Sequence, residues 1–524
     1  MRADAPVMPE SNVASIADRP SRDAAARLFR VVLGAAIAIG TIAAWRVAIA
    51  GLTLSHYDAR AHLVVARRIA DSLTPGWRQL GAVWLPLPHL VNLVPVQWDW
   101  AYRTGGVGVA VSIVALAWGV AALAERVFAR TRSVWLAVAT GALTLLNSNL
   151  LYLAGTPMTE PLLIGLSLAA LAACDAWIDV PTDSTRRRAA WLLAALVLTR
   201  YEGWLIGAGL AAITGFSGRR RPVGELMRLA APSAVAVMSF FLLSFASTGR
   251  WLASTDFFVA DGEALNRPLK AAELIWSGVL SLSNLLLAVV GVCGAFVCLV
   301  RARWRAAALL PLSLTFCVVL PLIAFTAGHP FRIRYMVPLV AAGGVLAGVA
   351  LSALPRRTWP WAAGALVALS MWLSPPFSLK SPMPVEAQWE TPMRLERQRV
   401  SDVLRARYDG TPILASMGSL GHYMQESSSI GLHLRNFVHE GNGDLWTEAV
   451  RSPRRSVRWV LVEERAEGGD MLAALARKDP AFLAGFTRIA EGGGLALYER
   501  KTDTGSRFPM LRLRKPTPGV GFSF

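Results

Sequence analysis

Long apolar runs, each bordered by a short cluster of arginines, dictate most of what this chain can fold into. The first, residues 28–54, is predominantly apolar and exceeds the roughly 20 residues needed to cross a hydrocarbon core of about 30 Å. Basic clusters follow the same pattern at 19–30, 126–132, 186–188, 219–221, 301–305 and 356–357. Lys and Arg concentrate in cytoplasmic loops, so these clusters fix an orientation. With all of them inside, residues 28–54 run outward, 105–123 inward, 134–153 outward and 157–178 inward. Residues 189–216 begin and end inside but break at Arg200-Tyr201-Glu202-Gly203, leaving arms too short for a full crossing, as in a re-entrant hairpin. Then 226–245 runs outward, 274–300 inward, 306–326 outward, 335–354 inward and 359–373 outward. The expectation is a polytopic α-helical membrane protein of about eleven helices, with a cytoplasmic N-terminus and an external C-terminus.

Composition agrees, since 524 residues with 54% hydrophobic and only 17% charged side chains do not make one soluble globule. A net charge of +18 would suit nucleic acid, but its arginines sit between apolar runs instead of along one face. The charge is therefore topological, and no nucleic-acid partner is expected. Cys174, Cys293, Cys298 and Cys317 all lie in apolar runs, which predicts neither a disulfide nor a zinc site. Residues 1–26 read as a disordered cytoplasmic tail, followed by an uncleaved anchor.

The unusual residues collect outside. The first external loop, residues 55–104, opens with Ser55-His56-Tyr57-Asp58-Ala59-Arg60-Ala61-His62 and holds the stiff run Trp84-Leu85-Pro86-Leu87-Pro88-His89. On a helical wheel Asp58 and His62 share a face with Val65, Ile69 and Leu73, while Arg60, Arg67, Arg68 and Asp71 fall opposite. That predicts an amphipathic helix with Asp58 pointing inward, and with His62, not a neutralising arginine, beside it; Asp58 could also be its N-cap. A second external loop, 247–273, carries Arg250, Asp256, Asp261, Glu263, Arg267 and Lys270. The third is Gly328-His329-Pro330-Phe331-Arg332-Ile333-Arg334, basic on the side where positive charge is scarce, which asks for a local anion.

Two further acids lie at membrane depth, where ionisable groups are costly and mark sites. Glu160, in Thr156-Pro157-Met158-Thr159-Glu160-Pro161, suits the positive first turn of a helix. Glu202 follows Arg200 closely enough for an ion pair. Residues 375–502 turn polar and read as an external soluble α/β domain, with strands at 411–416 and 457–463, a helix at 470–477 and an edge strand at 495–499. His422, His433 and His439 are spaced too loosely for a metal site, and residues 503–524 form a basic flexible tail.

The order Tyr57-Asp58-Ala59-Arg60-Ala61-His62, Trp84-Leu85-Pro86-Leu87-Pro88, Met158-Thr159-Glu160-Pro161, Thr199-Arg200-Tyr201-Glu202-Gly203 and Arg334-Tyr335-Met336-Val337-Pro338 resembles bacterial GT-C glycosyltransferases. These are relatives of protein mannosyltransferases and of lipid A aminoarabinose transferase. The resemblance spans residues 28–375 and implies a GT-C-like transmembrane catalytic domain over 27–374 in a bacterial inner membrane. It also implies an inverting transferase that takes a sugar from a polyprenyl-phosphate donor and gives it to an envelope acceptor on the periplasmic face. By that analogy Asp58 is the catalytic acid residue of the first loop, although His56-Tyr57 and Ala59 surround it where many members have a paired Asp-Glu. Glu160 is the second catalytic candidate. His62, Glu202, His329, Arg332 and Arg334 are candidates for substrate and phosphate binding. No cofactor is expected, and no ligand cluster marks a metal. Two other classes stay open: a flippase for a lipid-linked sugar, and a non-catalytic scaffold that binds envelope glycan.

Overall fold

The computed structural model describes residues 19–81, 83–217, 222–252, 262–466 and 469–501. The expectations for residues 1–18 and 502–524, and for Asp256 and Asp261, lie outside the described residues. Among the described residues, seven helices are long and apolar enough to cross a membrane, or eight if one bent pair counts as a single span. They include Gly106–Thr131, Glu160–Asp179 and Leu285–Ala302. Apolar helices too short for that test, such as Glu202–Phe216, fill in between them.

Two runs expected as single spans are broken, and asparagines break them. Residues 134–153 form Val134–Leu145 and Ser148–Ala154, bent by 72°. The Asn147 side chain caps the second piece by accepting from the N–H groups of Asn149 at 2.9 Å and Leu150 at 3.3 Å. Residues 274–300 divide into Pro268–Leu282 and Leu285–Ala302, with Asn284 accepting from Leu287 N–H at 2.8 Å. The first break satisfies the second, since Asn147 and Asn149 both donate to the Leu282 carbonyl, at 2.7 and 2.8 Å. Freed backbone groups inside a bundle need such partners. The expected hairpin is present as Asp183–Val197 and Glu202–Phe216, joined through residues 198–201.

The C-terminal region carries a five-stranded sheet: β1 (Ile413–Ala415), β2 (Phe437–Val438), β3 (Trp459–Glu463), β4 (Phe486–Gly492) and β5 (Leu495–Arg500), in the order β2-β1-β3-β5-β4. β1 runs parallel to β2 and β3, while β5 pairs antiparallel with β3 and β4. The strand at 495–500 is therefore interior, and β4 takes the edge expected for it. Gly493 and Gly494 make the β4–β5 turn with φ of 55° and 83°, the left-handed pair that a two-residue hairpin needs.

The loop of residues 55–104 and this sheet share one core. Leu63, Val64, Ala66, Val96 and Tyr102 pack with Leu420, Tyr423, Met424, Phe437 and Trp459. Arg60, Arg67 and Arg68, expected on a solvated face, lie instead at that junction. Arg60 is 1% exposed and pairs with Glu426 and, at 3.4 Å, with Glu390. Arg67 pairs with Asp71 at 2.9 Å and Asp99 at 2.6 Å. The helix Tyr57–Arg68 is thus a wedge between spans and sheet, packed on both sides.

Candidate active site

The wedge helix begins at His56, whose backbone is extended and whose Nδ1 accepts the Asp58 N–H at 3.1 Å. His56, not Asp58, is the N-cap. Capping needs a ring-nitrogen lone pair, and burial, followed by the charge of Arg334, lowers His56 to about 3 and keeps it neutral. Asp58 is consequently free of the backbone and lies in the first turn, where the helix end favours an anion.

Asp58 is buried, and the guanidinium of Arg334 pairs with it. Arg334 arrives on the turn Ile333–Met336, which follows residues 328–332. The neutralising arginine that Asp58 lacks on its own helix thus comes from a distant part of the chain. Burial pushes the carboxyl up, but Arg334, with His56 and His62 behind it, outweighs that and holds Asp58 at about 2. A carboxylate so held is a weak base while the pair is intact.

A second cluster forms where the hairpin breaks. Arg200 reaches Glu160 at 3.0 Å, Glu202 at 2.7 Å and Thr159 Oγ1 at 2.9 Å. Glu160 and Glu202 each open a helix, and both are buried. The ion pair expected between Arg200 and Glu202 is therefore a three-member bridge that includes Glu160. The stiff run docks on the same break, with Leu87 N–H donating to the Leu198 carbonyl at 3.0 Å and Tyr201 Oη to the Val83 carbonyl at 2.9 Å.

His62 joins the two clusters. Its ring lies 4.2 Å from Trp84 and 5.2 Å from His89, and the charges of Asp58, Arg200 and Arg334 all act on it. Burial, then His89, places His62 well below its ordinary value, so it is neutral here. A small cleft beside it is lined by Pro88, Asn92, Ser112 and Thr159. Arg332 is close enough for its charge to act on His56 and Tyr57. His329 meets the Tyr335 hydroxyl at 3.3 Å.

Of the seven expected residues, Asp58 and Arg334 form one arginine-bridged group, Glu160 and Glu202 are bridged by Arg200 in the other, His62 lies between them, and Arg332 and His329 sit in the loop that leads to Arg334. Sequence reasoning missed the capping role of His56, the pairing of Arg334 with Asp58, the reach of Arg200 to Glu160, and Glu386. Glu386 lies past the last span, where the polar composition gave no sign of contact with the site; its carboxyl feels Arg334, Arg332, Asp58 and Glu160.

The arrangement of spans, first-loop wedge and C-terminal sheet has solved counterparts. ArnT from Cupriavidus metallidurans bound to undecaprenyl phosphate superposes with a TM-score of 0.50 at 15% identity, covering 89% of this chain and 97% of that one. Its apo state gives 0.50 at 16% identity, covering 91% and 98%. This chain has the ArnT fold. The likeness in fold extends over nearly the whole chain. No family model matches the chain, and no curated protein matches it. At such identity ArnT speaks for architecture, and the chemistry must be argued from the residues of this chain.

Proposed function

We propose that this protein is an integral membrane glycosyltransferase, with about eleven helices, that moves a sugar from a polyprenyl-phosphate donor to a glycan, lipid or protein acceptor on the periplasmic face of a bacterial inner membrane. In this reading the N-terminus is cytoplasmic and the sheet domain is external. The observation that carries the proposal is the buried Asp58–Arg334 pair at the start of the wedge helix, in the fold of an ArnT that was solved with undecaprenyl phosphate. The donor brings a phosphate, and a guanidinium binds phosphate as readily as carboxylate. As the phosphate draws Arg334 toward itself, Asp58 loses its counter-charge and gains basicity.

Asp58 then takes the proton from the acceptor hydroxyl as that oxygen attacks the anomeric carbon. The bond from carbon to phosphate oxygen breaks on the opposite face, with inversion, and its electron pair leaves on the polyprenyl phosphate. Arg334 and Arg332, with His329 nearby, stabilise that charge. Glu160 and Glu202, fixed by Arg200, and the neutral His62 form the polar wall against which the sugar is oriented. The test is release of free polyprenyl phosphate from a synthetic polyprenyl-phosphate sugar by the purified protein. A flippase or a glycan-binding scaffold releases none.

A further inference from the structure

A strap, residues 374–390, joins the last span to the sheet domain and lies against the site. Its short helix Pro382–Glu386 packs on the Ser148–Ala154 helix and on the Ile333–Met336 turn that carries Arg334. It is pinned on both sides of Glu386. Met383 N–H donates to Asn149 Oδ1 at 2.9 Å, and Ser55 Oγ donates to the Ala387 carbonyl at 2.5 Å. Ser55 opens the segment that carries His56 and Asp58, so the strap and the acid are held in common.

Glu386 is partly exposed, yet its Oε2 is buried and has no hydrogen-bond partner. The charges acting on it are Arg334, Arg332, Asp58 and Glu160, and it acts in turn on Tyr152. The other acids of the site are bridged, Asp58 by Arg334 and Glu160 and Glu202 by Arg200. Among the described residues, no such bridge holds Glu386.

Resting on the transferase reading, we propose that Glu386 is the proton outlet of the reaction: it receives from Asp58, directly or through one water, the proton taken from the acceptor, and passes it to external water. The balance is simple. The O–H bond on Asp58 breaks as one forms on Glu386, and Asp58 returns to the anion that pairs with Arg334. Once Arg334 comes back from the phosphate, its charge favours the Asp58 anion, while burial raises the Glu386 carboxyl despite the two arginines, so the proton moves from Asp58 to Glu386. Glu386 acts through Asp58 and not on the sugar.

The test uses the full-length protein in detergent with a synthetic polyprenyl-phosphate sugar. Glu386→Gln should lower kcat on the order of 10- to 100-fold with donor KM unchanged, and should flatten the acid limb of the pH profile. Added acetate or formate should restore turnover in proportion to concentration, and Glu386→Asp should keep most of it. Wild-type kcat and an unchanged pH profile in Glu386→Gln would overturn the proposal. So would a loss seen as raised donor KM without rescue by acetate, because that is the mark of a structural role. Transfer by the wild type with an unaffected Glu386→Gln counts against Glu386 alone, whereas no transfer by the wild type counts against the transferase reading. In that second case an infrared titration of wild type against Glu386→Gln decides whether Glu386 holds a proton. A neutral-carboxyl band persisting above the ordinary carboxylate range supports the assignment, and titration within that range overturns it.

Discussion

Arg334 places its guanidinium on the carboxylate of Asp58, so the cation nearest the acid is also the one that suppresses its basicity. The pair works as a switch only if a donor phosphate competes for Arg334. Arg334→Ala should therefore weaken apparent donor affinity by about 10- to 150-fold, the worth of one charge-assisted contact of roughly 1.5–3 kcal/mol, and should change acceptor dependence less. Without Arg334, burial is left to raise Asp58 from about 2, so the acid limb of turnover should move to higher pH. Arg334→Lys should restore only part of the donor affinity, since it keeps the charge and loses the planar fork. Donor and pH titrations of the two variants check this.

The junction between wedge and sheet makes a stability prediction. Arg60 is 1% exposed and pairs with Glu426, whose side chain is 11% exposed. Removing one partner of a buried pair costs about 3–5 kcal/mol when the other charge is left unpaired; here Arg397, 2% exposed, still holds Glu426 at 3.1 Å, so the cost falls below that range. Arg394 reaches the same Glu426 from 3.9 Å but is 49% exposed, and such a contact contributes up to about 1 kcal/mol. Arg60→Ala should thus lower thermal stability more than Arg394→Ala, as melting of the two purified variants would report.

How much of this was legible beforehand depended on the range of the interaction. The spans and the hairpin break at residues 198–201 follow from local hydropathy and from Arg200-Tyr201-Glu202-Gly203, and they were readable. The breaks at Asn147 and Asn284 were readable in principle, since an asparagine in an apolar run is a helix-start signal; hydropathy averaged over a window hides it. On the wedge helix, periodicity placed Asp58 on an inward face but sent Arg60 and Arg67 to solvent. It describes one helix against one apolar surface, and this helix is buried on two sides, against spans and against the sheet. The partners of Asp58 and Arg60 lie hundreds of residues away and that of Glu160 lies two helices on, and no local pattern encodes such pairings. β4, Phe486–Gly492, was missed because its polar alternation resembles a loop, whereas the continuous apolar run of β3 marked a buried strand.

Glu463, at the end of β3, gives the sheet a pH dependence. Burial raises it from 4.5 to about 7. Between those values the folded chain keeps a proton that the unfolded chain has lost, so stability falls as pH rises through the window and is lowest above it. Glu463→Gln should remove that fall, leaving the variant more heat-stable than wild type at pH 8, by on the order of 3 kcal/mol, and similar at pH 4. Melting curves at the two pH values decide.

The orientation is testable by cysteine labelling in a background without the four native cysteines. Cysteines replacing Glu273 and Ser429 should react with an impermeant reagent in intact cells, and one replacing Ser184, beside the Arg186–Arg188 cluster, should not. The reverse pattern would put the whole site on the wrong face of the membrane.

The most direct test of the account is turnover of Asp58→Asn, read as polyprenyl phosphate released from a synthetic polyprenyl-phosphate sugar. Asparagine keeps the size of the side chain and cannot take the proton, and His56, not Asp58, caps the helix, so its start should survive the change. Because the variant leaves Arg334 without its counter-charge, Asp58→Asn with Arg334→Gln serves as the control for folding. The account predicts that Asp58→Asn at normal yield loses about 10²- to 10⁴-fold in turnover. Retention of more than about a tenth of wild-type transfer, a loss far below that range, would contradict it.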